Sequence, residues 1–545
     1  METIKKKKII LKDLFLVLLL LFFSFWSIFP FLAPGLPNTH DGLTHVMRLA
    51  SFHQALLDGQ FPPRWAGNLA FGFGSPVISL GFQLPYFIGD AFHLIGFSFQ
   101  DSIKGVFILG YLLSGLSMYL FLRKFGAISA FTGSVLYLFA PYRFLDLYVR
   151  GDVGESFVFI FPPLVLLLLW NNSKKMNWQK ISLAAFFIGL MFLSHQITAF
   201  VFSSIILILL SFRRNFKEAT FSIFGGLLLS SYNILPLVVE RSSTNLAQLM
   251  GNNYLNQFPK IGSILYSKWN WGPAQPNDPS ISMSFQLGFA QWLAVISLII
   301  ILIFNLIKNR KKLFSNPFPL AIGGLSIAFL FLITDYSKFL WDRLFFLQGV
   351  LYPWRLLAIE TFLASVMGAL AIHFLKRKEF KVFLAALFII LAFYANRNHN
   401  QVVGRTMHLD NFYINFPGTS DMWGEFLPKG AQAPKGRVEN KIEADTNIKI
   451  DNLKIKSNEI LFNTQSQENG MIRVNNFYYP GWEVFVDNQK TTIAKSQTFT
   501  FSVPKGNHLI RVLFSETLVR RFADCLSLLT AISLFVIFMV KFLKR

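Results

Sequence analysis

Charged residues are scarce in this 545-residue chain, and cysteine is almost missing. Asp, Glu, Lys and Arg make up 15% of the residues, whereas an average soluble protein has roughly a quarter. Apolar residues make up 53%, and the mean hydropathy is +0.46. This composition excludes an ordinary soluble domain. The single cysteine, Cys525, excludes a disulfide within the chain.

Long hydrophobic runs are abundant instead. The runs at 14–32 and 522–540 each have about 20 residues, which is enough to cross ~30 Å of hydrocarbon. We therefore predict a mainly α polytopic membrane protein with about twelve transmembrane helices. The predicted spans are 14–33, 103–122, 126–141, 156–170, 181–194, 197–212, 219–237, 285–306, 317–334, 355–375, 380–396 and 522–541.

The net charge of +22 is divided into short clusters at the ends of these runs. Such clusters follow the positive-inside rule and form no continuous basic face, so we expect no nucleic-acid partner. They predict a multi-pass plasma-membrane protein with both termini in the cytoplasm and a retained N-terminal anchor. The clusters are at 5–8, 123–124, 174–175, 213–217, 308–312, 376–378 and 541–545.

The predicted domains follow from where the apolar runs stop. Residues 1–396 form the helical domain, 397–520 an extracytoplasmic β-sandwich-like domain, and 521–545 a last helix with a basic tail. Polar and apolar residues alternate in the second region, as in half-buried strands. The loops expected outside the cytoplasm are 34–102, 142–155, 238–284 and 335–354.

One apolar segment, 72–97, is poorly suited to a full span. It contains Pro76, Pro85 and Asp90. We predict an interfacial or re-entrant segment, because irregular backbone at membrane depth is tolerated only against protein or a wet cavity.

The first outer loop carries a candidate site. Asp41, His45 and Arg48 are spaced by four and three residues, which places them on one face of a helix. A carboxylate, an imidazole and a guanidinium at a membrane surface suit a phosphate-bearing ligand and proton transfer. The alternative is that Asp41 only caps the helix and His45 is solvated.

The second outer loop adds acidic groups. Asp146, Asp152 and Glu155 flank Arg150 and face the same side as Asp41. Four carboxylates on one side predict an acid/base or metal site. Alternatively, Asp152 and Glu155 are only charges favoured by the dipole of the next helix.

A third motif, Tyr-Pro-Trp-Arg at 352–355, precedes a span. Arg355 at that depth needs an anion or a carboxylate, and Glu360 follows little more than a turn later. Alternatively, the aromatic residues belong to the interfacial belt and Arg355 snorkels. His93 and His195 are expected to be packed polar residues. No zinc-site spacing, Walker motif, Rossmann fingerprint or nucleophile elbow is present in the sequence.

The order of these motifs resembles the glycosyltransferases of the C superfamily (GT-C). More narrowly, it is similar to the bacterial YfhO-like, or "6-pyruvoyl-tetrahydropterin synthase-related", membrane proteins. The segments that carry this resemblance are 39–48, 72–76, 85–86, 352–355, 424–428, 476–482 and 503–508. A pterin synthase itself needs a soluble fold with a zinc-binding histidine cluster, and this sequence supplies neither.

The resemblance implies transfer of a sugar from a polyprenyl-phosphate donor to a cell-envelope glycan or lipid acceptor, among membrane lipids. It gives Asp41 the role of general base or acceptor-orienting group. Asp152 and Glu155 match a second acidic motif, which holds a divalent cation such as Mg²⁺ or Mn²⁺ in some members and works without metal in others. Arg355 is expected at the donor phosphate. The other expected substrate-binding residues are His40, His45, Arg48, Arg150 and Glu425.

Two other function classes remain open at this point. A transporter or flippase of a lipid-linked saccharide fits twelve spans, although transporters usually show internal repeats and charges at mid-membrane. A non-catalytic scaffold would instead bind envelope glycan through the β-domain.

Overall fold

The computed structural model describes residues 2–171, 175–246, 253–308, 310–416, 418–421 and 424–539. The predicted basic positions Lys174 and 541–545 lie outside these residues, as does 247–252 of the third predicted loop.

Helices dominate the described chain up to residue 396. In a membrane the apolar runs must satisfy every backbone polar group internally, which a helix does within one segment. The α-helices are Glu2–Ile28, Gly42–Leu57, Val77–Leu80, Leu84–Leu94, Phe99–Leu122, Ala127–Leu138, Pro141–Leu145, Val153–Val158, Phe161–Leu169, Trp178–Ser194, Gln196–Ser211, Phe216–Leu229, Ser231–Glu240, Ile261–Leu265, Phe289–Lys308, Arg310–Ser315, Phe318–Ile333, Lys338–Trp341, Phe345–Gln348, Leu357–Phe374, Lys378–Asn396, Asp410–Ile414 and Leu518–Met539.

Within the described residues, six helices are long and apolar enough to cross a membrane, or up to eight if each of two bent pairs is one span. The bends are 72° after Phe216–Leu229 and 91° after Phe318–Ile333. Four further apolar helices are shorter, at 10–17 residues. Together these segments coincide with the twelve predicted ones. The mainly helical membrane fold is therefore confirmed, whereas the number twelve depends on the four short helices.

The centre of the bundle is the helix Leu357–Phe374, which is almost wholly buried. Small residues allow its neighbours to approach closely, as is usual between membrane helices. A Cβ on Gly133 of the helix Ala127–Leu138 would lie 3.1 Å from both the Ala369 Cβ and the Ser365 carbonyl oxygen.

The apolar segment 72–97 forms two short helices, Val77–Leu80 and Leu84–Leu94. Neither is long enough to span a membrane. Tyr86 and Asp90 are buried against the rest of the first loop. The segment therefore lines the end of the bundle, as an interfacial segment would.

The region after residue 396 contains the predicted β-rich domain. The strands of the described chain are β1 Leu36–Pro37, β2 Arg405–Thr406, β3 Ile442–Ala444, β4 Ile448–Ile455, β5 Glu459–Ser466, β6 Gly470–Val474, β7 Trp482–Val486, β8 Gln489–Thr491, β9 Ala494–Lys495, β10 Phe499–Val503 and β11 Gly506–Phe514. The domain has two antiparallel sheets, with the strand orders β3-β6-β10-β9 and β4-β5-β11-β7-β8, and a separate pair, β1-β2, joins the first loop to this region.

The first loop and the β-domain share one apolar core. Trp65 of the loop packs edge-on against Trp482, with ring centroids 5.5 Å apart, and against Phe514 at 5.2 Å. Burying a side chain of this size in a second element stabilises the contact by a few kcal/mol. The β-domain is therefore held directly over the loop end of the helical bundle.

Candidate active site

Backbone hydrogen bonds join the first two predicted outer loops. The His40 N–H donates to the Val149 carbonyl at 2.9 Å, and the Asp41 N–H donates to the Arg150 carbonyl at 2.8 Å. Gly151 follows, with a left-handed backbone (φ +68°) that favours glycine. Its missing side chain leaves room for Thr39, whose hydroxyl accepts from the Gly42 N–H at 3.0 Å. This junction sets Asp41 beside the second acidic loop.

We expect Gly151→Ala to disturb this junction. A left-handed alanine costs about 1–2 kcal/mol, and the new Cβ would collide with the Thr39 hydroxyl and lie 2.8 Å from the Thr39 Cβ. We expect a lower unfolding temperature and a lower activity of the candidate site. Gly430→Ala is the matched control, because its φ is +78° but nothing lies within 4 Å of the added Cβ. Equal effects of the two substitutions would show that the contact with Thr39 is unimportant.

Arg150 is the centre of the site. One terminal nitrogen, Nη1, donates to Asp146 Oδ1 at 2.5 Å and to Glu155 Oε2 at 2.7 Å. The other, Nη2, donates to Asp152 Oδ2 at 2.8 Å. All four residues are buried. The Trp354 ring centroid lies 4.9 Å from the Arg150 guanidinium carbon.

Arg355 does find a carboxylate, but not the one nearest in sequence. Its Nε donates to Glu155 Oε2 at 3.3 Å, which ties the third motif to the second loop. Glu360, the neighbour considered from the sequence, instead accepts a hydrogen bond from Ser326 at 2.5 Å. The buried pair also argues against a snorkelling Arg355, since its side chain is largely removed from solvent.

His195 belongs to the site, although the sequence indicated only a packed residue. It lies between the helices Trp178–Ser194 and Gln196–Ser211, and its Nε2 is 3.9 Å from Asp152 Oδ2. The Thr198 hydroxyl on the second helix donates to Glu155 Oε1 at 3.2 Å. The sequence feature that could have indicated a site residue here is the polar triplet Ser-His-Gln between two apolar helices.

Asp41 and Asp152 are adjacent acids with different environments. Asp41 stays open to solvent in the cleft, but the surrounding protein and the charge of Asp152 raise its pKa above the usual range, against the opposing effect of Arg150. Burial, the largest single effect, opposes ionisation of Asp152, yet the Arg150 guanidinium and the weaker effects of neighbouring His and Arg side chains together hold the pKa of Asp152 below its usual range. Two carboxylates with separated pKa values are typical of a base and a permanently charged partner.

Neither part of the alternative interpretation of the first loop, a capping Asp41 and a solvated His45, is correct. Asp41 occupies the N-cap position, but its side chain accepts no capping hydrogen bond. His45 is buried rather than solvated, and its Nδ1 lies 2.8 Å from the Tyr86 hydroxyl. Burial lowers the pKa of His45 to about 3, so this imidazole is neutral at physiological pH. Its Nε2 is buried without a hydrogen-bond partner in the described chain.

For Asp152 the alternative interpretation, a charge at the start of the next helix, is partly correct. Its Oδ1 accepts a hydrogen bond from the Glu155 N–H at 2.9 Å, so Asp152 caps the helix Val153–Val158. The same side chain bonds Arg150 through its other oxygen. Capping and membership of the ionic network are therefore combined in one residue.

Residues 418–421 and 424–428 lie beside the helix Gly42–Leu57. Arg48 donates to the Ser420 carbonyl at 2.8 Å and lies 5.3 Å from the Phe426 ring centroid. Glu425 is the neighbour of Phe426 in this segment. His40 is exposed, and its Nε2 is 3.2 Å from the Trp271 carbonyl oxygen. The predicted site residues thus lie near one another, although they come from four separate parts of the chain.

Comparison with known proteins agrees with the motifs found in the sequence. A family model described as "6-pyruvoyl-tetrahydropterin synthase related domain; membrane protein" matches residues 82–402. The chain belongs to this family. The narrower resemblance noted from the sequence, to the 6-pyruvoyl-tetrahydropterin synthase-related membrane proteins, is thereby confirmed.

Two further likenesses are more distant. An uncharacterised protein of Lactococcus lactis subsp. cremoris (strain MG1363) is 26% identical over 317 residues, or 54% of this chain. The match covers 50% of that protein, so the chain spans about half the length of this relative. The cryo-EM structure of the mycobacterial arabinofuranosyltransferase AftD is similar at a TM-score of 0.41 and 14% identity, over 72% of this chain and 27% of that one.

A divalent cation is a poor fit to the acidic residues of this family member. Asp152, Glu155 and His195 each offer a ligand atom, and these atoms lie within 4.8 Å of one another. Both Glu155 oxygens, however, already accept hydrogen bonds from the protein: Oε1 from Tyr142 and Thr198, and Oε2 from Arg150 and Arg355. Both Asp152 oxygens are also used. The donor set belongs to two guanidinium groups, not to a metal ion.

An apolar cavity of about 320 Å³ lies among the helices. It is lined by Leu84, Leu116, Phe157, Phe187 and other apolar side chains. Phe157 is two residues from Glu155 on the helix Val153–Val158, so this helix contributes to both the cavity and the ionic network. Leu113 and Leu120 also line the cavity, and they are exposed on the outside of the bundle. The cavity is therefore accessible to an apolar chain from the membrane.

Proposed function

We propose that the protein is a membrane glycosyltransferase that moves a sugar from a polyprenyl-phosphate donor to a cell-envelope acceptor on the extracytoplasmic face. The observation that carries this proposal is the position of Asp41. This carboxylate of raised pKa lies in an open cleft beside a buried guanidinium network. The acceptor and the phosphate find matching chemistry there, and we assign the lipid chain to the apolar cavity, which shares the helix Val153–Val158 with the network.

In this proposal Asp41 accepts the proton of the acceptor hydroxyl as that oxygen attacks the anomeric carbon. A positioned base of this kind contributes about 10²–10⁴-fold to the rate. The bond from the anomeric carbon to the phosphate oxygen breaks at the same time, and the lipid phosphate leaves with the electron pair. Arg355 and Arg150 stabilise the negative charge of the leaving group.

The neighbouring residues have supporting roles. Asp152 and Glu155 hold the two guanidinium groups in place, with His195 and Thr198 packed against them. His45 and Arg48 are proposed as contacts of the sugar or its phosphate, and the uncharged Nε2 of His45 is buried without a hydrogen-bond partner in the described chain. His40 and Glu425 are proposed as acceptor contacts.

The test is a transfer assay in reconstituted membranes. A panel of radiolabelled polyprenyl-phosphate sugars is offered together with envelope glycan and lipid acceptors, and covalent product is measured. Transfer of label supports the proposal. Accumulation of intact donor inside sealed vesicles would favour a flippase. Binding of glycan by folded protein, with no transfer from any donor, would favour a scaffold.

The cavity supplies a second prediction. We expect Leu116→Trp to narrow the cavity and to raise KM for long-chain donors by about tenfold, which corresponds to about 1.4 kcal/mol of lost binding. Donors with very short chains should be affected little, because they do not reach Leu116. Leu528→Trp is the control, since Leu528 is exposed on the last helix, and it is not among the residues that line the cavity. A loss that is independent of chain length would refute this role of the cavity.

A further inference from the structure

The acidic side chains around Arg150 already bind a cation, because the Arg150 guanidinium forms an ion pair with each of them. Asp146, Asp152 and Glu155 contribute six carboxylate oxygens. Of these, only Asp146 Oδ2 is buried without a hydrogen-bond partner in the described chain. The other five accept from Arg150, Arg355, Tyr142, Thr198 or the Glu155 N–H. A hard divalent cation needs several such oxygens at once.

His195 is not available as a replacement ligand. The Thr198 N–H donates to its Nδ1 at 3.3 Å, which requires a lone pair on that nitrogen. In the neutral ring the proton must then lie on Nε2, the atom that faces Asp152. A nitrogen that carries a proton donates to a carboxylate and does not bind a metal.

Steric and electrostatic effects exclude a metal ion next to Arg150. Arg150 Nη1 lies 2.5 Å from Asp146 Oδ1 and 2.7 Å from Glu155 Oε2. An ion bound to these two oxygens at about 2.0–2.6 Å would lie against the same nitrogen, and its charge would repel the guanidinium. The Trp354 ring on one face and the burial of the side chain leave Arg150 little freedom to move away.

We propose that the Arg150 guanidinium is the resident cation of this site, in the position that a divalent metal ion would otherwise take. Asp146, Asp152 and Glu155 then serve to hold a fixed organic cation. Removing that cation leaves three facing acidic side chains, which become a binding site for a divalent ion. For catalysis the inference rests on the proposed function, whereas for ion binding it does not.

The experiment measures Mn²⁺ binding by electron paramagnetic resonance in the full-length protein in detergent micelles. The variants are Arg150→Ala, Arg150→Lys, Asp152→Asn and the double variant Arg150→Ala/Asp152→Asn. We expect no saturable Mn²⁺ site in the wild type or in Arg150→Lys, which keeps a cation. Arg150→Ala should gain one bound equivalent, and the double variant should lose it again.

Two results would overturn the inference. One is a stoichiometric Mn²⁺ site in the wild type that Asp152→Asn abolishes. The other is a folded Arg150→Ala protein, judged by its thermal unfolding, that binds no Mn²⁺. If Arg150→Ala does not fold, the wild type compared with Asp152→Asn decides the question alone.

An activity measurement separates this inference from the proposed function. Wild-type transfer should be unchanged by a chelator such as EDTA and should not need added Mg²⁺ or Mn²⁺. Transfer that depends on an added metal would contradict the inference and would still support the glycosyltransferase proposal. Failure to transfer from any donor would remove the proposed function, while the Mn²⁺ titration would still decide which cation occupies the site.

Discussion

Replacing Asp41 by Asn should reduce sugar transfer by about 10²–10⁴-fold, the usual contribution of a positioned general base. The amide is nearly the same size as the carboxylate but cannot accept a proton. Asp41 accepts no capping hydrogen bond through its side chain and is open to solvent, so the protein should remain folded. Initial rates at saturating donor and acceptor measure the effect, with the unfolding temperature as the check on folding.

Asp278→Asn is the matched control for charge and size. Asp278 lies on an exposed turn, where its carboxylate accepts hydrogen bonds from the N–H and hydroxyl of Ser280. Its replacement should leave transfer unchanged. A rate within about tenfold of wild type for Asp41→Asn would remove Asp41 from the centre of the mechanism. Such a result would leave the glycosyltransferase function itself intact.

The pH dependence of transfer gives an independent view of the same group. A base works only when deprotonated, so transfer should be full above the pKa of Asp41 and be lost as the pH falls through it. Because that pKa is raised, the loss should begin at a higher pH than for an ordinary aspartate. His45 should not contribute near neutral pH, because its pKa is about 3.

The largest effect on stability is expected for Arg520→Met. Arg520 is fully buried at the start of the last helix, where Nη2 donates to Glu240 Oε2 at 2.8 Å and to the Pro480 carbonyl at 2.9 Å. Removing one partner of a buried ion pair costs about 3–5 kcal/mol, because the other charge remains buried without its partner. Thermal unfolding in detergent should show the loss of stability.

Two comparisons test the cause of this loss. Arg521→Met changes an exposed arginine at the next position and should alter stability by less than about 0.5 kcal/mol. The double variant Glu240→Leu/Arg520→Met should recover part of the lost stability, since neither charge then remains buried alone. If the double variant is as unstable as the sum of both single variants, lost packing rather than an unpaired charge is responsible.

The helices and strands were predictable because their signals are local. Each predicted span coincides with an apolar helix or bent helix pair, and the polar–apolar alternation after residue 440 became strands such as β5, whose buried and less buried residues alternate. Hydropathy and period depend on neighbours in the chain, so the sequence carries them directly. The short helices of the segment 72–97 likewise follow from Pro76 and Pro85.

The partners of the charged residues were harder to predict. The sequence indicated Asp41, Asp152, Glu155 and Arg355 as site residues, but it offered Glu360 as the partner of Arg355. The structure pairs Arg355 with Glu155, 200 positions away, and adds His195 from a helix hairpin. Such pairings depend on how helices pack and cross, which no local pattern encodes.

The sequence by itself therefore determined the membrane class, the apolar helices, the β-rich domain, the family and most residues of the candidate site. Only the tertiary structure decided that Arg150 takes up the carboxylates expected to hold a metal, that His45 is buried, and that Phe157, two residues from Glu155, lines an apolar cavity. The physical reason is the distance along the chain over which each property is determined. Burial and hydrophobic period are properties of a segment, whereas the neighbours of a buried charge are set by contacts among segments distant in the chain.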